Sequence, residues 1–230
     1  MNLMMLLEMA ASGMGDRVAV VNGDDRMTYG ELFQAAGVAG VTAKASGAAH
    51  VATLDVASLA VPVGLFASAW AGLPFVPLNY RLTGDELAAL VDQIAPSCLI
   101  TDADRVASLA HMERTTLVSR EAFLAGARDG EAGPSDWSMD GDDIAILLFT
   151  SGTTGPPKAA VIRHKHIVSY ILGSVEFGAA AEDNAVLVSV PPYHIAGMAA
   201  VLTKPVQSAA LQTTIARALE GTYKAVGGQA

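Results

Sequence analysis

Nine residues, Thr150 to Lys158 (TSGTTGPPK), concentrate the groups that polyphosphate chemistry needs. Thr150, Ser151, Thr153 and Thr154 supply hydroxyl donors. Gly152 and Gly155 let the backbone approach a ligand and turn its amides inward. Pro156 and Pro157 stiffen the exit, and Lys158 adds one point charge. Hydroxyls and amides would meet phosphate oxygens, and one ammonium would offset their charge. The order is not the G-x-x-x-x-G-K-[ST] pattern, because Pro157 stands where its second glycine belongs and Ala159 follows the lysine. The other reading at this point is a polar turn between two strands.

Histidines supply the remaining candidates. His194 follows Pro191, Pro192 and Tyr193 and precedes an apolar run that contains Gly197 and Met198. A lone histidine on an apolar stretch is more often a satisfied core residue than a site residue. His164 and His166 flank Lys165 and invite a metal reading. On a helix, residues two apart point in different directions and do not converge on one ion. No metal ligand is therefore assigned.

These residues need elements to hold them. Apolar runs of strand length alternate with helix-period segments: RVAVV (17–21), HVATL (50–54), LPFVPL (73–78), SCLITD (97–102), TTLVS (115–119) and IAILLFT (144–150). Thr28 with Glu31, and Thr83 with Glu86, have capping-box spacing ahead of helices. Asp55 is placed to cap the helix after HVATL, and another helix is expected near Ala103 to Glu113. The alternation predicts an α/β fold with a largely parallel sheet layered with helices. Strands without in–out alternation suit a sheet covered on both faces. The nine-residue loop motif then falls at the end of a strand, where open parallel sheets place their ligands.

Composition narrows the function classes. The chain has 230 residues, 52% hydrophobic and 16% charged, with a net charge of −9. That balance fits a packed domain and opposes a nucleic-acid partner. The single Cys98 forms no disulfide framework and reads as a small buried hydrophobe. The start of the chain lacks a basic region ahead of its apolar residues, so a secretory signal is not expected. Residues Val56 to Tyr80 carry no charge, but Pro62, Pro74 and Pro77 interrupt them. They read as a buried helix that breaks near Gly72 and a buried strand, not a membrane span. A cytoplasmic protein is the default. Residues 128–143, rich in Gly, Pro, Ser and acidic side chains, read as a solvated linker.

The stretch LLFTSGTTGPPKAAVIRHKHI resembles the phosphate-binding signature of the adenylate-forming ligases, which include acyl-CoA synthetases and peptide-synthetase adenylation domains. Asp16 to Leu32, Ala67 to Leu87 and VPPYHIAGM (Val190 to Met198) resemble further segments of that family, in its order. The resemblance covers residues 1–203 and is closest to fatty-acyl or aryl-CoA ligases. It implies that Thr150, Ser151, Gly152, Thr153, Thr154, Gly155 and Lys158 hold the β and γ phosphates of ATP. Mg²⁺ would bridge those oxygens, and CoA would accept the acyl group. Tyr193, His194, Gly197 and Met198 would line the pocket for a small-molecule carboxylic acid. It also implies a helix start at His164.

The family's later adenine, ribose and lysine segments are not found in this sequence, and the resemblance fades at Thr203. Residues 204–230 read instead as an atypical tail, with Leu211, Ile215, Leu219 and Val226 on one face of an amphipathic helix. That face is a candidate for homodimer contact. The alternative function is a non-catalytic remnant that binds nucleotide weakly or serves as an interaction module.

Overall fold

The computed structural model describes residues 1–133, 135–150, 157–174, 188 and 190–202. The chain divides into two compact units, Met1–Ser169 and Tyr170–Ala230.

The first unit is built on a six-stranded sheet in the order β6-β5-β3-β4-β7-β8. Its strands are β3 (His50–Leu54), β4 (Phe75–Pro77), β5 (Ser97–Thr101), β6 (Thr115–Ser119), β7 (Ile144–Thr150) and β8 (Lys158–Arg163). All neighbours are parallel except β7 and β8, which form an antiparallel hairpin. A separate two-stranded hairpin joins β1 (Val18–Asn22) to β2 (Asp25–Thr28). The mixed α/β fold with a largely parallel sheet is thus as the sequence led us to expect.

Both sheet faces are covered, which explains the uninterrupted apolar strands. On one face lies α3 (Ala60–Ala71), all of whose residues are buried. A Cβ on its Gly64 would come within 3.3 Å of Ile100 and Phe75, so the helix backbone sits close to β5 and β4. Gly72 ends α3 in a left-handed conformation (φ 71°) that suits glycine. The uncharged stretch from Val56 to Tyr80 is therefore core helix and core strand. Among the described residues no helix is long and apolar enough to cross a membrane. On the other face, Leu87, Leu90 and Val91 of α4 (Gly84–Gln93) and Leu109 pack with Ala52, Leu54, Val76, Leu78 and Leu99.

Outside α3 lies α2 (Tyr29–Ala45), opened by the Thr28–Glu31 capping box. Its Gly37 and Gly40 make room for Trp70, since a Cβ at either would lie 2.8 Å from that side chain. The aromatic contacts continue to Phe33 and Trp137, with Trp70 and Trp137 centroids 5.0 Å apart. Trp137 changes the reading of residues 128–143. Their acidic side chains are exposed, as a solvated segment requires, but the tryptophan ties the segment down, so it is a strap and not a free linker. Cys98 is buried in β5, and burial pushes its thiol pKa up.

Three local expectations need correction. Asp55 caps no helix: Leu59 is the N-cap of α3 and makes no side-chain cap bond. Thr83 is the N-cap of α4, but its hydroxyl bonds nothing in the first turn. Gly84, the first residue of α4, has a positive φ of 57°. The helix expected to reach Glu113 is the shorter α5 (Ala103–Ser108). Three helices escaped the sequence reading: α1 (Leu3–Met14), capped by Asn2, α6 (Arg120–Asp129), capped by Ser119, and α8 (Ile195–Leu202). The remaining helix is α7 (His164–Ser174). The proposed tail helix lies outside the described residues.

Candidate functional site

The loop motif spans the β7–β8 hairpin. Backbone pairing runs Ile146 to Ile162, Leu147 to Val161, Leu148 to Ala160, Phe149 to Ala159 and Thr150 to Lys158. Thr150 and Lys158 therefore close the last rung, and residues 151–157 connect them. On its other side β7 pairs in parallel with β4 through Phe75 and Ile146. The connection thus leaves from the carboxyl end of the parallel strands, the edge where such sheets bind ligands.

The strand is held on both faces. Ile146 and Leu148 are buried, while Leu147 and Phe149 pack against the α4-side core. Lys158 begins β8 as an exposed residue. Ser151, Gly152, Thr153, Thr154 and Gly155 lie outside the described residues, as does the side chain of Thr150.

The foot of the hairpin is densely bonded. The Arg163 guanidinium donates to the Asp142 carbonyl, and the Lys165 ammonium pairs with the Asp142 carboxylate. The hydrogen bond from Lys165 holds that carboxyl below the usual carboxylate range. His164 N donates to Asp143 O at 3.1 Å, and Lys165 N to Gly141 O at 2.9 Å.

Helix α7 starts at His164, as the resemblance implied. The two histidines diverge, one buried and one exposed. His166 accepts the Arg163 N–H on Nδ1 at 3.3 Å, as the third residue of a capping box does. His164 is 2% exposed and accepts the Leu3 N–H on Nδ1 at 3.3 Å. Burial drives its pKa down to about 4; the Asp143 carboxylate opposes this and the Met1 ammonium adds to it.

The second unit carries the other candidate residues and is described by itself. His194 N donates to Pro191 O at 3.1 Å, and Met198 N donates to His194 O at 3.0 Å. This brings Tyr193, His194, Gly197 and Met198 into one turn and the first part of α8. The Tyr193 and His194 rings lie 4.5 Å apart, tilted by 48°. His194 is exposed, which disfavours a satisfied core histidine, while Met198 is fully buried. A Cβ at Gly197 would collide with the Pro191 carbonyl oxygen, so glycine permits this close turn.

Two polar arrangements were not anticipated. Asp55 is 3% exposed and accepts from Val56 N (2.9 Å), Ser58 Oγ (3.0 Å) and Arg120 Nη1 (2.7 Å). The other is the His164–Leu3 contact. Asn2 ahead of an apolar run was a legible helix start; nothing local announced its distant partner.

Similarity to known proteins agrees with this architecture. The family model described as AMP-binding enzyme matches residues 7–216. Indoleacetate–CoA ligase of Aromatoleum aromaticum is 32% identical over 170 residues, covering 67% of this chain and 33% of that protein. Feruloyl-CoA synthase of an Amycolatopsis species is 31% identical over 186 residues, covering 80% of this chain and 38% of that protein. The inhibitor-bound N-terminal domain of FACL13 from Mycobacterium tuberculosis superimposes with a TM-score of 0.73 at 24% identity, covering 87% of this chain and 54% of that one. The chain thus spans between a third and two fifths of the length of the two curated ligases it matches. With the family model covering most of its residues, the chain belongs to the AMP-binding enzyme family, the adenylate-forming ligases.

Proposed function

We propose that this chain carries the phosphate-binding hairpin and part of the acyl pocket of an ATP-dependent acyl-CoA ligase. A substrate carboxylate oxygen attacks the α-phosphorus of ATP. The bond from that phosphorus to the bridging oxygen breaks, and pyrophosphate leaves. The CoA thiolate then attacks the acyl carbon, and AMP departs with the oxygen. Both reactants of the first step are anions, so the protein must hold them together and offset charge on the leaving group.

The observation that carries this reading is the Thr150–Lys158 rung at the carboxyl end of β7. It closes a hydroxyl- and glycine-rich connection with a lysine at its mouth. Thr150, Ser151, Gly152, Thr153, Thr154, Gly155 and Lys158 would surround the β and γ phosphates. Mg²⁺ is treated as part of the Mg·ATP substrate. Among the described residues no group of three His, Cys, Asp or Glu side chains is placed to hold a metal. Tyr193, His194, Gly197 and Met198 would border the acid. The names of the two similar ligases make indoleacetate- and ferulate-type acids the first to try.

Because the chain spans only part of its relatives, catalysis is proposed for a protein that joins these residues to the segments that complete the site. Weak nucleotide binding without turnover is the reading for the chain alone. Isothermal calorimetry with Mg·ATP and Mg·pyrophosphate tests the common element. Binding that Lys158→Ala weakens supports it; no binding by the parent chain refutes it.

A further inference from the structure

We propose that His164 is a positioning residue: its neutral imidazole caps α1 from across the fold and ties that helix to the foot of the β7–β8 hairpin. The first N–H groups of a helix have no partner within the helix. In α1, Asn2 Oδ1 takes the Met4 N–H at 3.0 Å and Asn2 O takes the Met5 N–H at 3.2 Å. The Leu3 N–H is left, and its partner is His164 Nδ1, 161 positions along the chain. Leu3 and Met4 are fully buried, so water is not at hand to replace that acceptor. A buried donor without a partner costs the full desolvation of the group.

His164 is also the first residue of α7, directly after β8, and its own N–H is bonded to Asp143 just ahead of β7. One residue therefore joins the end of β8, the entry to β7 and the start of α1. Asn2 Nδ2 reinforces the junction by donating to Ser138 O at 2.8 Å.

The contact dictates a protonation state. A ring nitrogen that accepts an N–H carries no proton, so the proton of the neutral ring sits on Nε2. Protonation would set two N–H groups against each other and undo the cap. The charged groups facing the ring are the Asp143 carboxylate, which favours the imidazolium, and the Met1 ammonium, which opposes it. Lys165 and Asp142 beside them are paired with each other. The consequence for the phosphate-binding connection rests on the function proposed above, because the hairpin this junction holds carries that connection at its other end.

The test uses the full chain with two substitutions. His164→Asn keeps an acceptor oxygen near the place of Nδ1 and cannot titrate. His164→Leu keeps side-chain bulk without an acceptor. Imidazole ¹⁵N shifts of the parent should show the Nε2–H neutral ring at pH 7. Amide exchange, corrected for intrinsic rates, should show Leu3 protection that falls in acid for the parent. It should stay level with pH for His164→Asn and be lower by about 10-fold at pH 7 for His164→Leu. Mg·ATP affinity should drop in the Leu variant and recover in the Asn variant. A proton on Nδ1, or Leu3 protection equal in the parent and His164→Leu, overturns the proposal. A parent chain that binds no Mg·ATP defeats the nucleotide reading alone; the ring shifts and the Leu3 amide still decide the cap.

Discussion

Thr150 and Lys158 face each other across the last backbone rung of the β7–β8 hairpin. That pairing fixes the span of the connection between them. It also puts the lysine at the mouth of the connection proposed to wrap the phosphates. A strand position fixes the backbone from which the ammonium stem projects.

Lys158→Ala and Thr154→Ala should each weaken ATP use in a protein that carries the complete site. A hydrogen bond to a charged group contributes about 1.5–3 kcal/mol, or roughly 10- to 100-fold in kcat/KM. Steady-state kinetics with saturating acid and varied Mg·ATP measures this. Unchanged kinetics in both variants would reduce the motif to a structural turn.

The chain alone should not catalyse carboxylate-dependent ATP–pyrophosphate exchange. Phosphate contacts hold one end of ATP, whereas attack on the α-phosphorus needs both reactants aligned. A radiolabelled pyrophosphate assay with indoleacetate, ferulate and a set of fatty acids decides the point. Incorporation well above a heat-killed control would show that these residues suffice.

His164 also predicts an acid limb in stability. Its pKa is about 4 in the fold against an ordinary value of 6.5, so the unfolded chain binds more protons between those values. Stability should therefore be retained above about pH 6.5 and lost as pH falls towards about 4. Thermal melts across that window should show a shallower acid limb for His164→Asn. An identical limb in both proteins would assign it to other groups.

What was legible in the sequence follows from the range of the forces involved. The strands His50–Leu54, Thr115–Ser119 and Ile144–Thr150 stood out because each is a short run of apolar and β-branched residues, and the first buries nearly every residue it contains. Thr28 and Glu31 lie three residues apart, so their reciprocal cap is a local pattern. Asp55 shows where locality fails. A carboxylate after a strand looks like a helix cap, yet Arg120, 65 positions away, claims it once β3 and β6 align on either side of β5. Trp137 is similar: its segment is polar enough to read as solvent-facing, but one indole finds Phe33 and Trp70 only after α2 and α3 have packed. In the candidate site, residue types were legible. The antiparallel return of β8 was not, because KAAVIR lacks a strong strand signature.

Gly37→Ala should destabilise the fold without touching the hairpin. The added Cβ would lie 2.7 Å from Ala132 Cβ and 2.8 Å from the Trp70 ring. Overpacking of a tight contact costs about 1–3 kcal/mol. Urea denaturation should show the loss, and Mg·ATP binding below the transition should be unchanged. An unaltered midpoint would mean that the Trp70 cluster yields freely.

The last prediction concerns Asp55 and Arg120. Asp55 is nearly inaccessible, and its carboxylate takes a guanidinium bond at 2.7 Å besides two short-range donors. Arg120 remains 28% exposed along its side chain, so solvent screens part of the attraction. Removing the arginine leaves a buried carboxylate with less compensation than it needs, whereas removing both charges does not. Arg120→Ala should therefore cost about 1–3 kcal/mol, below the range for a fully buried pair. Asp55→Asn added to it should recover part of the loss, because the amide is neutral, its oxygen can still accept from Val56 N, and its NH2 can donate to Ser58 Oγ. A double-mutant cycle in urea reads the coupling directly. If the double variant is less stable by the sum of the two single losses, the pair is a bystander, and the β3–β5–β6 part of the sheet is held by its backbone and apolar contacts alone.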